Sequence, residues 1–164
     1  IRSVEKALNF LGQEAIVTRK KEQILGADKV ILPGVGSFGD AMDKIRQYGL
    51  EKVIRQVAEN GTPFLGICLG LQLLFESSEE SPGVQGLGIL KGRILKIPET
   101  EGLKIPHMGW NTLKLQGNGR LFSRPSGGSL CLFCPFLLSA GGRRRDRNGS
   151  NGLRYQDSCF CGKK

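Results

Sequence analysis

Apolar positions in the first 116 residues alternate between a helical and a strand-like pattern. Val4, Ala7, Leu8 and Leu11 recur at i, i+3, i+4 and i+7, which predicts an amphipathic helix. Short continuous apolar runs follow at Ala15-Ile16-Val17, Val30-Ile31-Leu32 and Pro63 to Ile67, and each predicts a strand. Between the last two, Ala41 to Tyr48 and Leu50 to Asn60 read as helices, and Asn60-Gly61 ends the second. Leu71 to Phe75 is again helix-like. Continuous apolar strands separated by helices predict an α/β fold, with a mostly parallel sheet and helices on both faces. In such sheets ligands bind outside the carboxyl ends of the strands.

Two predicted strand ends carry distinctive residues. Gly66-Ile67-Cys68-Leu69-Gly70 places a cysteine between glycines where a strand turns into a helix. Larger side chains would crowd so sharp a turn. The start of the following helix offers unpaired N–H groups and the positive end of its dipole to a thiolate and to a developing oxyanion. A buried structural cysteine is the alternative at this point, because thiols are common in cores. Pro33-Gly34-Val35-Gly36-Ser37 lies at the end of Val30-Ile31-Leu32. Its two glycines allow a sharp turn that presents N–H groups to a ligand. Beside a nucleophile its natural task is an oxyanion hole, with Val35 and Leu69 as donors. A glycine-rich turn without a ligand is the alternative.

Charge and cysteine content divide the chain. The net charge is +9 over 164 residues. Residues 1–116 hold 15 Lys+Arg and 13 Asp+Glu, a net of +2, whereas residues 117–164 hold 9 and 2, a net of +7. Cys68 stands alone in the first part; Cys131, Cys134, Cys159 and Cys161 crowd the second. The compositional boundary falls near Gly117–Pro125. No run approaches the roughly 18 apolar residues of a membrane span, so a soluble, cytoplasmic protein is expected. The start at Ile1, without a signal-like region, reads as a fragment.

The two loops carry a resemblance. Leu32-Pro33-Gly34-Val35-Gly36-Ser37-Phe38-Gly39-Asp40-Ala41-Met42 and Gly66-Ile67-Cys68-Leu69-Gly70-Leu71-Gln72 resemble class I glutamine amidotransferases. Gly86-Leu87-Gly88 and Pro106-His107-Met108-Gly109-Trp110-Asn111 narrow the resemblance to the glutaminase subunits of imidazole glycerol phosphate synthases, in histidine biosynthesis. A different class I glutaminase, such as one feeding nucleotide synthesis, fits Pro106 to Asn111 less well. The resemblance covers residues 1 to about 122 and implies a flavodoxin-like sheet.

The resemblance implies that Cys68 attacks the side-chain amide carbon of glutamine, giving a thioester, ammonia and, after hydrolysis, glutamate. It assigns the oxyanion to Val35 and Leu69. Gly34, Gly36 and Gln72 would hold the substrate, although Gln72 alone could be a solvated helix residue. Ammonia would pass to a partner cyclase subunit with a (β/α)₈ barrel, in a heterodimer. His107, Met108, Trp110 and Asn111 would face that partner, with ordinary loop packing as the alternative. No cofactor, metal, nucleic acid or membrane is implied.

The chain departs from that pattern in two places. The family's opening strand and glycine-rich turn, ahead of Arg2-Ser3-Val4-Glu5-Lys6-Ala7-Leu8, are missing. The family's catalytic base lies in a His-Pro-Glu stretch near the carboxyl end, and no such stretch occurs here. His107 is the only histidine, and its segment belongs to the interface rather than to the triad. The chain as written is therefore expected to lack the catalytic His and Glu and with them glutaminase turnover; the alternative to a glutaminase subunit is an inactive fragment that at most docks on the cyclase.

The tail suggests a cause. Ser129-Leu130-Cys131-Leu132-Phe133-Cys134-Pro135-Phe136-Leu137, back-translated with permitted codons and shifted by one nucleotide, gives Val-Tyr-Val-Tyr-Phe-Val-His-Ser-Tyr, which resembles a family strand. The same shift on Leu153 to Lys163 can give Tyr-Gly-Thr-Lys-Ile-Pro-Ala-Ser-Val-Glu-Lys, which resembles the next strand pair. The expected organisation is an incomplete amidotransferase domain over 1–122 and a frameshifted, irregular tail over 123–164. Cys131-x-x-Cys134 with Cys159-x-Cys161 has the four thiolates of a zinc site but an uncommon Cys-x-Cys half. Arg143-Arg144-Arg145-Asp146-Arg147 has the charge of a nucleic-acid-binding arm. Both are read as by-products of the shifted frame.

Overall fold

The computed structural model describes residues 1–96, 109–112, 130–133 and 137–141. Helix α1 (Arg2–Phe10) follows the i, i+3, i+4, i+7 pattern, with Val4 and Leu8 half-buried. Helix α2 (Lys21–Leu25) has no counterpart in the sequence reading. It is short, and only Ile24 and Leu25 mark an apolar side. Thr18 secures its start: its Oγ1 accepts the Lys20 N–H at 3.0 Å and donates to Gln23 Oε1 at 2.5 Å. The strand expected at Ala15-Ile16-Val17 does not form. Ile16 and Val17 are exposed, and among the described residues no strand pairs with them, so the β-branched run has no ladder to join.

The centre of the fold agrees with the pattern. Strand β1 (Val30–Gly34) leads to helices α3 (Phe38–Gln47) and α4 (Glu51–Glu59), then strand β2 (Phe64–Cys68) and the short helix α5 (Leu69–Gln72). β1 and β2 run parallel, from Val30 opposite Phe64 to Gly34 opposite Cys68. A parallel pair needs a crossover, and α3 and α4 supply it. Their apolar stripes are buried: Phe38, Met42 and Ile45 on α3, and Val53, Ile54 and Val57 on α4. The helix-like stretch Leu71 to Phe75 begins earlier and ends sooner than its pattern predicts. After Gln72 it tightens into i→i+3 turns, Leu74 N–H to Leu71 and Phe75 N–H to Gln72, both 3.1 Å.

These elements meet in one core. Phe38 and Met42 join Leu69, Leu71, Leu73, Leu74, Phe75, Leu87 and Ile94. Strand β3 (Ser77–Ser78) runs parallel to β4 (Gly92–Lys96). Strand β5 (Gly109–Thr112) pairs antiparallel with β6 (Leu130–Phe133), and β4 pairs antiparallel with β7 (Leu137–Gly141).

Strands β6 and β7 differ from the irregular tail expected beyond residue 122. Leu130–Phe133 and Leu137–Ala140 are short, mostly apolar runs, and pairing with β5 and β4 satisfies their backbone groups. Cys131 lies on β6; Cys134, Cys159, Cys161 and Arg143 to Arg147 lie outside the described residues.

Candidate active site

The site is built from two loops at the carboxyl end of the β1–β2 pair. Cys68 has φ 55° and ψ −122°, and it is the one non-glycine among the described residues with positive φ. A side chain there costs on the order of 1–3 kcal/mol unless its surroundings impose the conformation. Those surroundings are visible. Leu69, Gly70 and Leu71 are buried immediately after it, while Cys68 itself is exposed. The chain must therefore turn abruptly to anchor two leucines in the core and leave one thiol outside. Exposure removes the reading of Cys68 as a structural core thiol.

Three glycines make the turn feasible. A Cβ on Gly66 would lie 2.6 Å from Leu71 Cα, and one on Gly70 would lie 1.8 Å from Leu32 O. A Cβ on Gly34 would lie 2.6 Å from Gly70 N. The backbone of β1 thus presses directly against the turn after Cys68. Gly34 and Gly70 are where the two loops touch.

The Gly34–Ser37 loop is free on its outer side. Gly36 has φ 98°, a Cβ there would meet nothing within 4 Å, and Val35 is 89% exposed. Ser37 then caps α3: its Oγ accepts the Asp40 N–H at 3.3 Å and donates to Asp40 Oδ2 at 2.7 Å. Leu69, first residue of α5, has an N–H without an intrahelical acceptor. Gln72 follows Cys68 by one helical turn and is half-buried.

The fold thus brings Gly34, Val35, Gly36, Cys68, Leu69 and Gln72 to one end of the parallel pair. Trp110 and Asn111 lie on β5, opposite Leu132 and Cys131. His107 and Met108 lie outside the described residues. Sequence reasoning missed Glu80 and Ser81, whose side chains accept the Phe38 N–H at 2.9 Å and the Gly39 N–H at 3.0 Å. Nothing in the local pattern of Ser78-Glu79-Glu80-Ser81 signals a helix start 42 positions away.

The strained, exposed Cys68 thus stands at a strand-to-helix turn at the end of a parallel strand pair. The family described as glutamine amidotransferase class-I matches residues 2–126, and the chain belongs to that family. Within it, the chain is similar to imidazole glycerol phosphate synthase subunit HisH of several organisms. The Moorella thermoacetica protein is 51% identical over 127 residues, covering 77% of this chain and 60% of that protein. The Bacillus cereus protein is 55% identical over 114 residues, covering 70% and 54%. The Methanocaldococcus jannaschii protein is 47% identical over 122 residues, covering 74% and 60%. The chain therefore spans little more than half the length of these relatives. A solved structure described as "Crystal structure of glutamine amidotransferase" superposes with a TM-score of 0.65 at 25% identity, over 89% of this chain and 70% of that one. The fold is the class I amidotransferase, flavodoxin-like α/β arrangement. Among the described residues, no helix is long and apolar enough to cross a membrane.

Proposed function

We propose that this chain carries the nucleophile half of a glutaminase that supplies ammonia for imidazole glycerol phosphate synthesis in histidine biosynthesis. The observation that carries the reading is the backbone of Cys68: positive φ, flanked by glycines without room for a Cβ, with its thiol outside the core. The Cys68 thiolate attacks the amide carbon of glutamine, and the carbonyl electrons move onto oxygen. The Val35 and Leu69 N–H groups receive that oxyanion. Collapse expels the nitrogen as ammonia once it is protonated, leaving a thioester that water cleaves to glutamate. Gly34 and Gly36 allow the substrate close to the backbone, and Gln72 reaches it from one turn beyond Cys68.

The partner is a cyclase subunit with a (β/α)₈ barrel, met through His107, Met108, Trp110 and Asn111, in a cytoplasmic heterodimer. The reaction needs a base that takes the thiol proton and returns it to the leaving nitrogen. No His-Pro-Glu stretch occurs in the 164 residues, and His107 is assigned to the interface. A polypeptide of these 164 residues alone is therefore expected to bind and position without turning over. Residues 1–122 form the amidotransferase portion, and 123–164 are a frameshifted tail. Codons through 117–164 that do not encode the family strand in the neighbouring frame would sink the frameshift.

The test of the site is covalent. A chloroketone analogue of glutamine should alkylate Cys68 much faster than chloroacetone does, and equal rates would refute a glutamine site. Ammonia release from glutamine with a cyclase present should be absent. Clear turnover that Cys68→Ala abolishes would overturn the predicted inactivity.

A further inference from the structure

The start of α3 is held from a distant loop. Its first three N–H groups would ordinarily look to local caps or to water. Here Glu80 Oε2 accepts from Phe38 at 2.9 Å, Ser81 Oγ accepts from Gly39 at 3.0 Å, and Ser37 Oγ accepts from Asp40 at 3.3 Å. The fit at Gly39 is close, since a Cβ there would lie 3.1 Å from Ser81 Oγ. The loop that bears these acceptors is itself fixed. The Glu79 N–H donates to Ile94 O at 2.9 Å, and Glu79 Oε2 accepts the Lys96 N–H at 3.0 Å. The Glu80 N–H donates to Ser78 Oγ at 3.2 Å, and Ser78 is buried. A rigid path runs from β4 through residues 78–81 to the first turn of α3.

The loop between β1 and α3 is thus held at both ends. Gly34 abuts Gly70 at one end, and Glu80 and Ser81 hold Phe38 and Gly39 at the other. Between them the Val35 side chain is 89% exposed, so among the described residues little packing orients it. The direction of its N–H is then set by the loop ends.

We propose that Glu80 and Ser81 are positioning residues that aim the Val35 N–H at the reacting carbonyl oxygen by holding the α3 terminus. The proposal rests on the assignment of Val35 as an oxyanion donor. Small displacements of such a group cost much of its effect. The experiment compares two reagents at Cys68, followed by mass spectrometry of the Cys68 peptide. Iodoacetamide forms the C–S bond with loss of iodide and develops no oxyanion. With chloroacetone the thiolate can first add to the ketone carbon, moving the carbonyl electrons onto oxygen; the sulfur then displaces chloride from the adjacent carbon and the carbonyl re-forms. In Glu80→Ala/Ser81→Ala the chloroacetone rate should fall roughly tenfold relative to the iodoacetamide rate. Ser81→Ala alone should shift the ratio in the same direction by less, and it serves if the double variant unfolds. Glu80→Gln retains an acceptor oxygen and should restore most of the ratio. A merely structural role would slow both reagents together. An unchanged ratio, equal slowing, or failure of Glu80→Gln to restore the ratio overturns the proposal. Glutamine chloroketone on the unaltered chain judges the glutamine site separately.

Discussion

Gly34 and Cys68 stand opposite one another at the end of the β1–β2 ladder, and the Gly34 Cα faces the turn that follows Cys68. A Cβ on Gly34 would lie 2.9 Å from Leu69 Cβ as well as 2.6 Å from Gly70 N. The two loops of the site are therefore one packed unit, and space at this contact controls the shape of both.

The glycines should separate by mechanism. Gly70→Ala would drive a methyl to 1.8 Å from Leu32 O, a backbone atom that cannot move without breaking the β1–β2 ladder. We expect a loss of at least about 3 kcal/mol in urea unfolding, at the upper end for overpacking. Gly36→Ala meets nothing within 4 Å, but its φ of 98° is unfavourable for any side chain. Its cost should be about 1–2 kcal/mol from backbone strain alone. Equal losses for the two variants would contradict the close contact at Gly70.

Cys68 should be a site where glycine stabilises. Cys68→Ala and Cys68→Gly both remove the thiol, and only glycine accepts φ 55° with ψ −122° without strain. Relief of that strain should outweigh the added freedom of the unfolded chain. We expect Cys68→Gly to be more stable than Cys68→Ala by about 1 kcal/mol. A urea midpoint that is higher for alanine would show that the elbow is relaxed.

The legible and illegible parts of the sequence divide along physical lines. The Gly-Ile-Cys-Leu-Gly turn could be read because so sharp a turn demands small residues on either side of Cys68, and those are local. α3 and α4 could be read because their apolar stripes are long enough to show a period. Ala15-Ile16-Val17 was misleading because a strand is defined by its neighbour, which composition does not contain. α2 is too short to show periodicity. Glu80 and Ser81 were silent because their partners, Phe38 and Gly39, are 42 positions away in sequence. β6 and β7 were missed because the Gly- and Arg-rich middle of the tail obscured two short apolar runs.

Phe38 links α3 to the core beneath the elbow. It is 0% exposed, and a Cβ on Gly86 would lie 3.0 Å from its Cζ. Phe38→Ala leaves a cavity among Leu69, Leu71 and Leu87 and should cost about 3–5 kcal/mol. Because Phe38 is also the first residue of α3, the Gly34–Ser37 loop should loosen with it. Hydrogen exchange at the Phe38 and Gly39 amides should rise more in this variant than in one of matched stability on α4, such as Val57→Ala. Equal rises would separate the core from the loop.

Glu51 joins the two crossover helices, and its behaviour with pH follows. Its carboxylate accepts Arg55 Nη2 at 3.0 Å on its own helix and Arg46 Nε at 3.3 Å from α3. The hydrogen bond from Arg55 is the largest influence holding its pKa below the ordinary carboxylate value; partial burial opposes it, and Arg46 adds to the lowering. With the folded pKa below an unfolded value of about 4.3, the unfolded chain takes up the proton first as pH falls. The contribution of Glu51 is therefore complete above that unfolded value and disappears as pH drops through the lower folded one. Both arginines are partly exposed, so its size at neutral pH should be under about 1 kcal/mol. Urea midpoints of Glu51→Gln should lie below those of the unaltered chain at pH 7, and the two curves should converge as the carboxylate is protonated. An offset that persists unchanged into strong acid would mean that Glu51 acts by packing rather than by charge.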